Sequence, residues 1–507
     1  MSSCCRPNAA PASSAFRPRF DPSLPVAIVG AGPVGLAAAA HLLRYGLKPV
    51  VFDAADRVGA APLAWGHVRM FSPWRYDVDA ASRALLERHG WSAPDANAYP
   101  DGREFVEQYL APLAQTPEIA ACLRLNTRVT GIARFGTGKV KNAPREPQPF
   151  EIRFEEQGRT EGRLLAGAVI VATGASGQPA PAGASGLPAL GEHAAREQVR
   201  YGMPDVLGAE RGRYAGKRIL VVGAGHSAVG TLVELATLAQ QASGTTVVWA
   251  LRRSQPGEAY GGGSADQLPE RGALGQQLKA LIDAGRIALL APFAVDEIRR
   301  TGRLLDVRDA DGRAVRVDEL IVATGLRPDL RILREVRVDL DAALECPRGL
   351  APLIDPNLHS CGTVRPHGAE LLAQPDEGLY IAGMASYGRA PTFLLATGYE
   401  QVRSIAAWLA GDLEAARRVE LELPETGVCS TDRAPGDERA CCAPAAKKET
   451  VACCTPAADP QSPACCAGAA DPQNPACCTP AADPENPACC AGAADPENPA
   501  CCAGAAT

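Results

Sequence analysis

Two strand–glycine turn–helix–strand patterns, at residues 25–53 and 217–253, and a 12-residue repeat that closes the chain predict an α/β protein. It should have two parallel-sheet units and a coreless carboxy-terminal tail. A length of 507 residues leaves room for two or three domains, and a hydrophobic fraction of 46% suits a globular body. The net charge of -6 resides mostly in the tail, where Lys447 and Lys448 face seven acidic residues beyond Cys441. The body is therefore nearly neutral, which argues against a nucleic-acid or anionic-membrane partner. The first 23 residues lack the apolar core of a signal peptide, and no apolar run is long enough to span a bilayer. A cytoplasmic location is expected; the oligomeric state is left open.

The first unit opens with "PVAIVG" at 25–30, an apolar run typical of a buried parallel strand. The glycine turn "GAGPVG" follows, with Gly30, Gly32, Pro33 and Gly35, then the alanine-rich "LAAAAHLLRYG" at helical period. A second run, "PVVFD", ends at Asp53, twenty-three residues after Gly30. Gly30 permits a tight turn, Gly32 lets backbone approach a pyrophosphate, and Gly35 lets helix and strand pack closely. The helix amino terminus offers N–H donors to phosphates, and Asp53 is placed to accept from a ribose hydroxyl. In this full context the glycines read as a Rossmann-like dinucleotide site.

The second unit repeats the pattern in "KRILVVGAGHSAVG", where Gly223, Gly225 and Ala228 take the three fingerprint positions, with His226 and Ser227 between them. Its second strand ends in Arg252 and Arg253 rather than an acid. Arginines suit a 2′-phosphate where an acid would suit a free hydroxyl, so this site is assigned to NADPH. The alternative, arginines merely solvated at a strand end, is decided by comparing NADPH with NADH.

"IVATG" occurs at 170–174 and again at 321–325, ending in Gly174 and Gly325, and a late segment carries a strand at 379–383 and a long helix from about Pro391. With the two fingerprints, these segments resemble the two-dinucleotide-domain flavoprotein superfamily over about residues 24–412. The resemblance implies an NAD(P)H domain inserted into an FAD domain, with FAD at the first fingerprint and its isoalloxazine near the amino end of the last helix. The expected organisation is a disordered segment at 1–23, FAD domain at 24–205 and 316–412, and NAD(P)H domain at 206–315. A linker at 413–440 and the disordered repeats at 441–507 complete it.

Disulfide reductases of this superfamily usually carry a redox cysteine pair in the body and end their last FAD strand in Gly-Asp. Here neither residues 53–79 nor residues 211–316 hold a cysteine, and the last strand ends in Gly383-Met384. The chain instead resembles class B flavin monooxygenases, whose G-x-G-x-S-[GA] is matched by Gly223, Gly225, Ser227 and Ala228, with Arg253-Ser254 after the next strand. That resemblance implies NADPH reducing FAD, and oxygen then transferred to a soft nucleophilic atom of a small-molecule substrate. The family's F-x-G-x-x-x-H signature is not found between the two domains, so an NADPH oxidase or quinone-type reductase stays open.

The pocket wall is expected in "LAWGHVRMFSPWRYDVD". Trp65, His67 and Arg69 are the candidate catalytic residues, with Ser72, Trp74 and Arg75 beside them. His67 or Arg69 would hydrogen-bond the flavin or an oxygen atom, whereas the tryptophans are as readily packing. Tyr387 and Arg389, just before the last helix, are further candidates.

Cysteine pairs recur at Cys441-Cys442, Cys453-Cys454, Cys465-Cys466, Cys477-Cys478, Cys489-Cys490 and Cys501-Cys502. Between them stand alanine, proline, glycine and turn-forming residues that cannot bury enough surface to offset the entropy of ordering. Paired thiolates are soft ligands, so these cysteines are candidate ligands for a thiophilic metal or metalloid, including trivalent arsenic. A flexible twelve-residue spacer has an end-to-end distance of about 17–21 Å, so neighbouring pairs can fold back to share one ion. The chain also resembles flavin monooxygenase-like proteins associated with arsenic resistance, which implies a trivalent arsenical or other thiophilic metalloid, captured by the tail, as substrate. The alternative is a flavin-dependent reductase or oxidase carrying a metallothionein-like buffer.

Overall fold

A computed structural model describes residues 18–261, 268–358, 366–391 and 393–421, all within one compact unit. Residues 1–17 of the expected disordered segment at 1–23, the repeats at 441–507 and with them all twelve candidate metal ligands lie outside the described residues.

Strand β1 (Val26–Val29) leads through the glycine turn into helix α1 (Pro33–Arg44) and on to β2 (Pro49–Phe52). After helix α2 (Ala80–Arg88) and the short β3 (Leu123–Arg124), the chain forms an antiparallel meander. Its strands are β4 (Thr127–Arg134), β5 (Phe150–Glu156) and β6 (Thr160–Ala166). It returns as β7 (Ala168–Val171), beside β1. The second unit contains β8 (Val199–Tyr201), β9 (Arg218–Val222), helix α3 (His226–Gln241), β10 (Thr246–Ala250), helix α4 (Pro269–Asp283) and β11 (Ala288–Leu290). A second meander follows in β12 (Val295–Thr301), β13 (Leu304–Asp309) and β14 (Ala314–Val317). Then come β15 (Glu319–Val322), β16 (Leu379–Ile381) and helix α5 (Leu395–Ala410).

Two five-stranded parallel sheets result, in the orders β16-β7-β1-β2-β3 and β8-β15-β9-β10-β11. The orders correspond strand for strand. β1 and β7 are buried along their whole length because both faces of the sheet are covered. Side chains alternate across a strand, so Val26 and Ile28 join α1 and α5 in one core. Ala27 and Val29 pack on Phe150 and Ile152 of the meander. The second unit repeats this division, with Ile219 and Val221 against α3 and Leu220 and Val222 against Leu305 and Val307.

Three boundaries differ from the sequence expectation. The last helix begins at Leu395 rather than near Pro391, because Leu394 is extended (φ −106°, ψ 138°). The last strand stops at Ile381, since the chain turns at Gly383 with φ +68°. The second sheet takes β8 and β15 from outside the expected 206–315 span, because β15 supplies the hydrogen bonds that β9 needs on one edge and β8 those that β15 needs on its far edge. Among the described residues, no helix is long and apolar enough to cross a membrane.

Candidate functional site

Both fingerprint turns follow the same steric plan. Gly30 has φ +112° and Gly223 φ +138°, and a side chain at either would collide with the carbonyl of Ala172 or Ala323 respectively. Those carbonyls belong to the two ATG segments, whose Ala172 and Ala323 amides bond Val29 and Val222 at 2.8 Å. The repeated tripeptide is thus the strand end that crosses each glycine turn. Gly174 (φ +67°) and Gly325 (φ +108°) then carry the chain away.

The middle glycines mark where a ligand fits. Nothing lies within 4 Å of where a side chain would stand at Gly32 or Gly225. Each is the cap of a helix with no side-chain cap, so the first-turn N–H groups of α1, which starts at Pro33, and of α3 face an open cradle. That donor set suits a pyrophosphate in both units. Gly35 and Ala228 differ: a side chain at Gly35 would strike the Gly30 carbonyl, whereas the Ala228 methyl is buried in the second core.

At the end of β2, Asp53 accepts from the Ala31 N–H at 2.6 Å and the Ala55 N–H at 2.8 Å. The carboxylate therefore ties the glycine turn to the strand end, and each oxygen keeps a lone pair for a ribose hydroxyl. Beyond β10, Arg252 is exposed and donates to the Ala184 carbonyl at 3.1 Å, with Arg253 half-buried beside it.

The segment 65–79 splits in two. Trp65 lies against the Gly102 backbone, where an added side chain would come within 2.7 Å of its ring. Arg69 is exposed and stacks over Tyr99 at 5.8 Å, while Arg75 is exposed over the Tyr76 ring. Trp74 is buried on Phe105. His67 instead keeps its Nε2 buried without a hydrogen-bond partner. Phe71 meets the ring of His226 edge-on, with centroids 5.4 Å apart, so this segment touches the second fingerprint turn directly. Ser227 is half-buried, and its carbonyl accepts from the Thr231 hydroxyl at 2.9 Å.

Around the last helix, Gly383 donates to Gln401 Oε1 at 2.7 Å, and Gln401 Nε2 donates to Ser386 at 2.9 Å. This buried amide fixes the turn that carries half-buried Met384. Tyr387 is buried against Phe393. Arg389 pairs with Glu345 at 2.8 Å on the surface.

One residue that sequence reasoning missed is Asp77. It is fully buried; its Oδ1 accepts from the Ser72 hydroxyl at 2.6 Å, and its Oδ2 has no partner. Burial, only partly offset by the Ser72 bond, pushes this carboxyl up to about 7. In "WRYDVD" nothing distinguishes it from Asp79, whose carboxylate is held below its ordinary range by His41 at 2.8 Å and the Ser82 amide, against the effect of its burial. Among the described residues the thiols are Cys122 and Cys346, both unpaired. Burial raises the first to about 11 and the second to about 12, so neither is a ready thiolate. Those residues also hold no cluster of three or more metal-ligating side chains.

Two glycine cradles on two parallel sheets, one backed by an acid and one by arginines, suit an FAD-dependent pyridine nucleotide oxidoreductase. The chain belongs to the pyridine nucleotide-disulphide oxidoreductase family, which it matches over residues 24–373. It is 24% identical over 372 residues to a ferredoxin–NADP reductase of Ignicoccus hospitalis, covering 71% of this chain and 96% of that one. Bacillithiol disulfide reductase from Bacillus cereus shares the fold with a TM-score of 0.56 at 20% identity, covering 77% of this chain and 99% of the other. The FAD-bound cadaverine monooxygenase of desferrioxamine biosynthesis from Erwinia amylovora does so with a TM-score of 0.53 at 14% identity, covering 81% and 98%.

Proposed function

We propose that this oxidoreductase is flavin monooxygenase-like, spending NADPH and oxygen on a soft nucleophilic substrate. A trivalent arsenical captured by the tail cysteines is the expected one. The observation that carries the reading is the state of the body thiols. Cys122, half-buried, and Cys346, buried, are both unpaired and held as thiols, so the described body offers no dithiol through which electrons would leave. A diffusible acceptor is the simplest alternative, and oxygen is the acceptor that the Ser227-containing fingerprint favours.

Gly30, Gly32 and Gly35, with Asp53, would hold FAD, and its ring system supplies the two-electron chemistry. Gly223, Gly225 and Ser227 would hold the nicotinamide nucleotide, with Arg252 and Arg253 on its 2′-phosphate. The Phe71–His226 contact joins the 65–79 segment of the first unit to the second fingerprint turn. The buried Nε2 of His67 is an unfilled hydrogen-bonding position in the same segment. The tail would raise local metalloid concentration, since a short flexible tether gives effective concentrations of about millimolar order.

The test is NADPH-driven oxygen uptake by the full chain with and without trivalent arsenite or methylarsenite. Substrate-dependent uptake with a pentavalent product supports the reading; deletion of residues 441–507 should raise the KM for the arsenical with little change in kcat. Arsenical-independent NADPH consumption overturns the substrate assignment.

A second reading is favoured by the ferredoxin–NADP reductase relative, which the chain covers at 96% of its length. In it, electrons pass from NADPH to a protein acceptor and the tail is a separate thiol buffer. Reduction of ferredoxin in the absence of oxygen separates the two.

A further inference from the structure

A small pocket, with room for about one water molecule, lies where three parts of the chain meet. Ser72, Tyr76 and Asp77 line it from the first unit, Leu268 from the start of α4, and Leu394, Leu395 and Ala396 from the amino end of α5. Phe71, adjacent to Ser72, touches His226 of the second fingerprint turn, so the cavity borders the junction of the two dinucleotide units. Its walls are apolar apart from the Ser72 hydroxyl, the Tyr76 phenol and the Asp77 carboxyl.

Asp77 is built into this place. Its Oδ1 accepts from Ser72, and its backbone carbonyl accepts from the Tyr399 hydroxyl of α5 at 2.7 Å. With both the side chain and the backbone held, Oδ2 is left without a partner in a fully buried residue. A buried carboxyl with one unsatisfied oxygen costs free energy unless it is protonated or bonded to a ligand.

We propose that Asp77 is the proton-exchanging residue of the site, passing through Oδ2 the proton that oxygen reduction consumes. The proposal rests on the oxygen-using reading above. Oxygenation of a substrate S balances as NADPH + H⁺ + O₂ + S giving NADP⁺ + SO + H₂O: the hydride and one proton end in water. Uncoupled oxidation, NADPH + H⁺ + O₂ giving NADP⁺ + H₂O₂, takes up one proton as well. In either case a proton has to reach the reacting atoms, and among the described residues that line this pocket Asp77 is the acidic one. Its ordinary range is raised to about 7, so it both holds and releases a proton near neutrality.

The groups that face it do not compete for this role. Tyr109 and Tyr399 are raised by burial and stay neutral phenols, and Asp79 is committed to His41. Tyr76 shares the cavity wall, and α4 contributes Leu268, which carries no charge.

The test compares two acceptors in the full-length holoprotein. Oxygen consumes a proton, whereas ferricyanide does not: NADPH + 2 ferricyanide gives NADP⁺ + H⁺ + 2 ferrocyanide. Asp77→Asn should lower the ratio of oxygen to ferricyanide rates at least tenfold and abolish the inflection near pH 7 in the oxygen rate. Ser72→Ala removes the bond that lowers this carboxyl and should move that inflection to higher pH. Independently of turnover, the infrared carbonyl band of a buried protonated carboxyl should titrate near pH 7 in the wild type and vanish in Asp77→Asn. An unchanged ratio in Asp77→Asn, or an inflection that Ser72→Ala does not move, overturns the assignment while the oxygen reading stands. A wild-type protein that reduces ferricyanide and ignores oxygen overturns the oxygen reading and the assignment with it.

Discussion

The two dinucleotide units share one strand order, one meander and one ATG crossing, but they solve two local problems differently. At the third fingerprint position the first unit has Gly35 pressed on the Gly30 carbonyl, and the second has Ala228 with its methyl in the core. At the end of the second strand the first unit turns an acid back onto its own glycine loop, while the second sends Arg252 to a neighbouring segment and leaves it exposed. A buried carboxyl appears in each unit too. Glu192 accepts from the Ala182 and Ala189 amides at 3.0 and 2.7 Å and from Tyr201 at 2.5 Å. Asp77 has one donor and an empty oxygen. The difference separates a carboxylate that holds the fold together from one that the fold leaves chemically available.

The largest expected effect tests that contrast. Asp77 is raised from 3.8 to about 7 in the folded protein, so between about pH 4 and pH 7 the folded state keeps a proton that the unfolded state has lost. Stability should therefore fall as pH rises through that window, by up to about 4 kcal/mol at one unit per 1.36 kcal/mol. Denaturant unfolding of Asp77→Asn should lack this slope; an identical slope would place its origin elsewhere.

Next comes the packing contrast. Gly35→Ala should cost roughly 3 kcal/mol and lose bound flavin, because the methyl meets backbone that cannot move aside. Gly32→Ala, with open space above it, should fold normally and weaken only cofactor retention. Thermal melts and the flavin spectrum distinguish them; equal melting temperatures would contradict the steric account.

The charge contrast is smaller. Replacing Arg252 and Arg253 together by alanine should cut the preference for NADPH over NADH in kcat/KM by about tenfold to a hundredfold, the size of one charge-assisted hydrogen bond. An unaltered ratio would leave the arginines as solvated strand-end residues. Smallest is Asp53→Asn, which keeps one acceptor but loses the charge on the Ala31 amide. It should weaken FAD affinity by roughly tenfold, about 1.4 kcal/mol, read by dialysis and fluorescence.

Much of this was legible in the chain itself. The glycines announced themselves because a positive φ and a crossing carbonyl exclude other residues, and the two apolar strands because sheets covered on both faces demand continuous burial. The position of Asp53 was legible as well. Its bond to Ala31 was not, since that depends on how short a side chain closes on its own loop. The start of the last helix was read four residues early, where Pro391 looks like a helix opening but Leu394 is still extended. Among the candidate catalytic residues, Trp65, His67 and Arg69 are near neighbours in sequence, yet they point respectively at backbone, into the interior and at a surface tyrosine. Pairing of residues 66–70 with 100–103 sets those directions.

Local steric necessity is written in the sequence: two nucleotide turns, their crossing segments and the acid or arginine that follows each. Asp77 is another matter. Its isolation is made by Leu268, 191 positions further along, and by Leu394–Ala396, more than three hundred positions away. Whether a carboxyl is solvated or stripped of water depends on which distant walls close over it, and only the tertiary structure decides that.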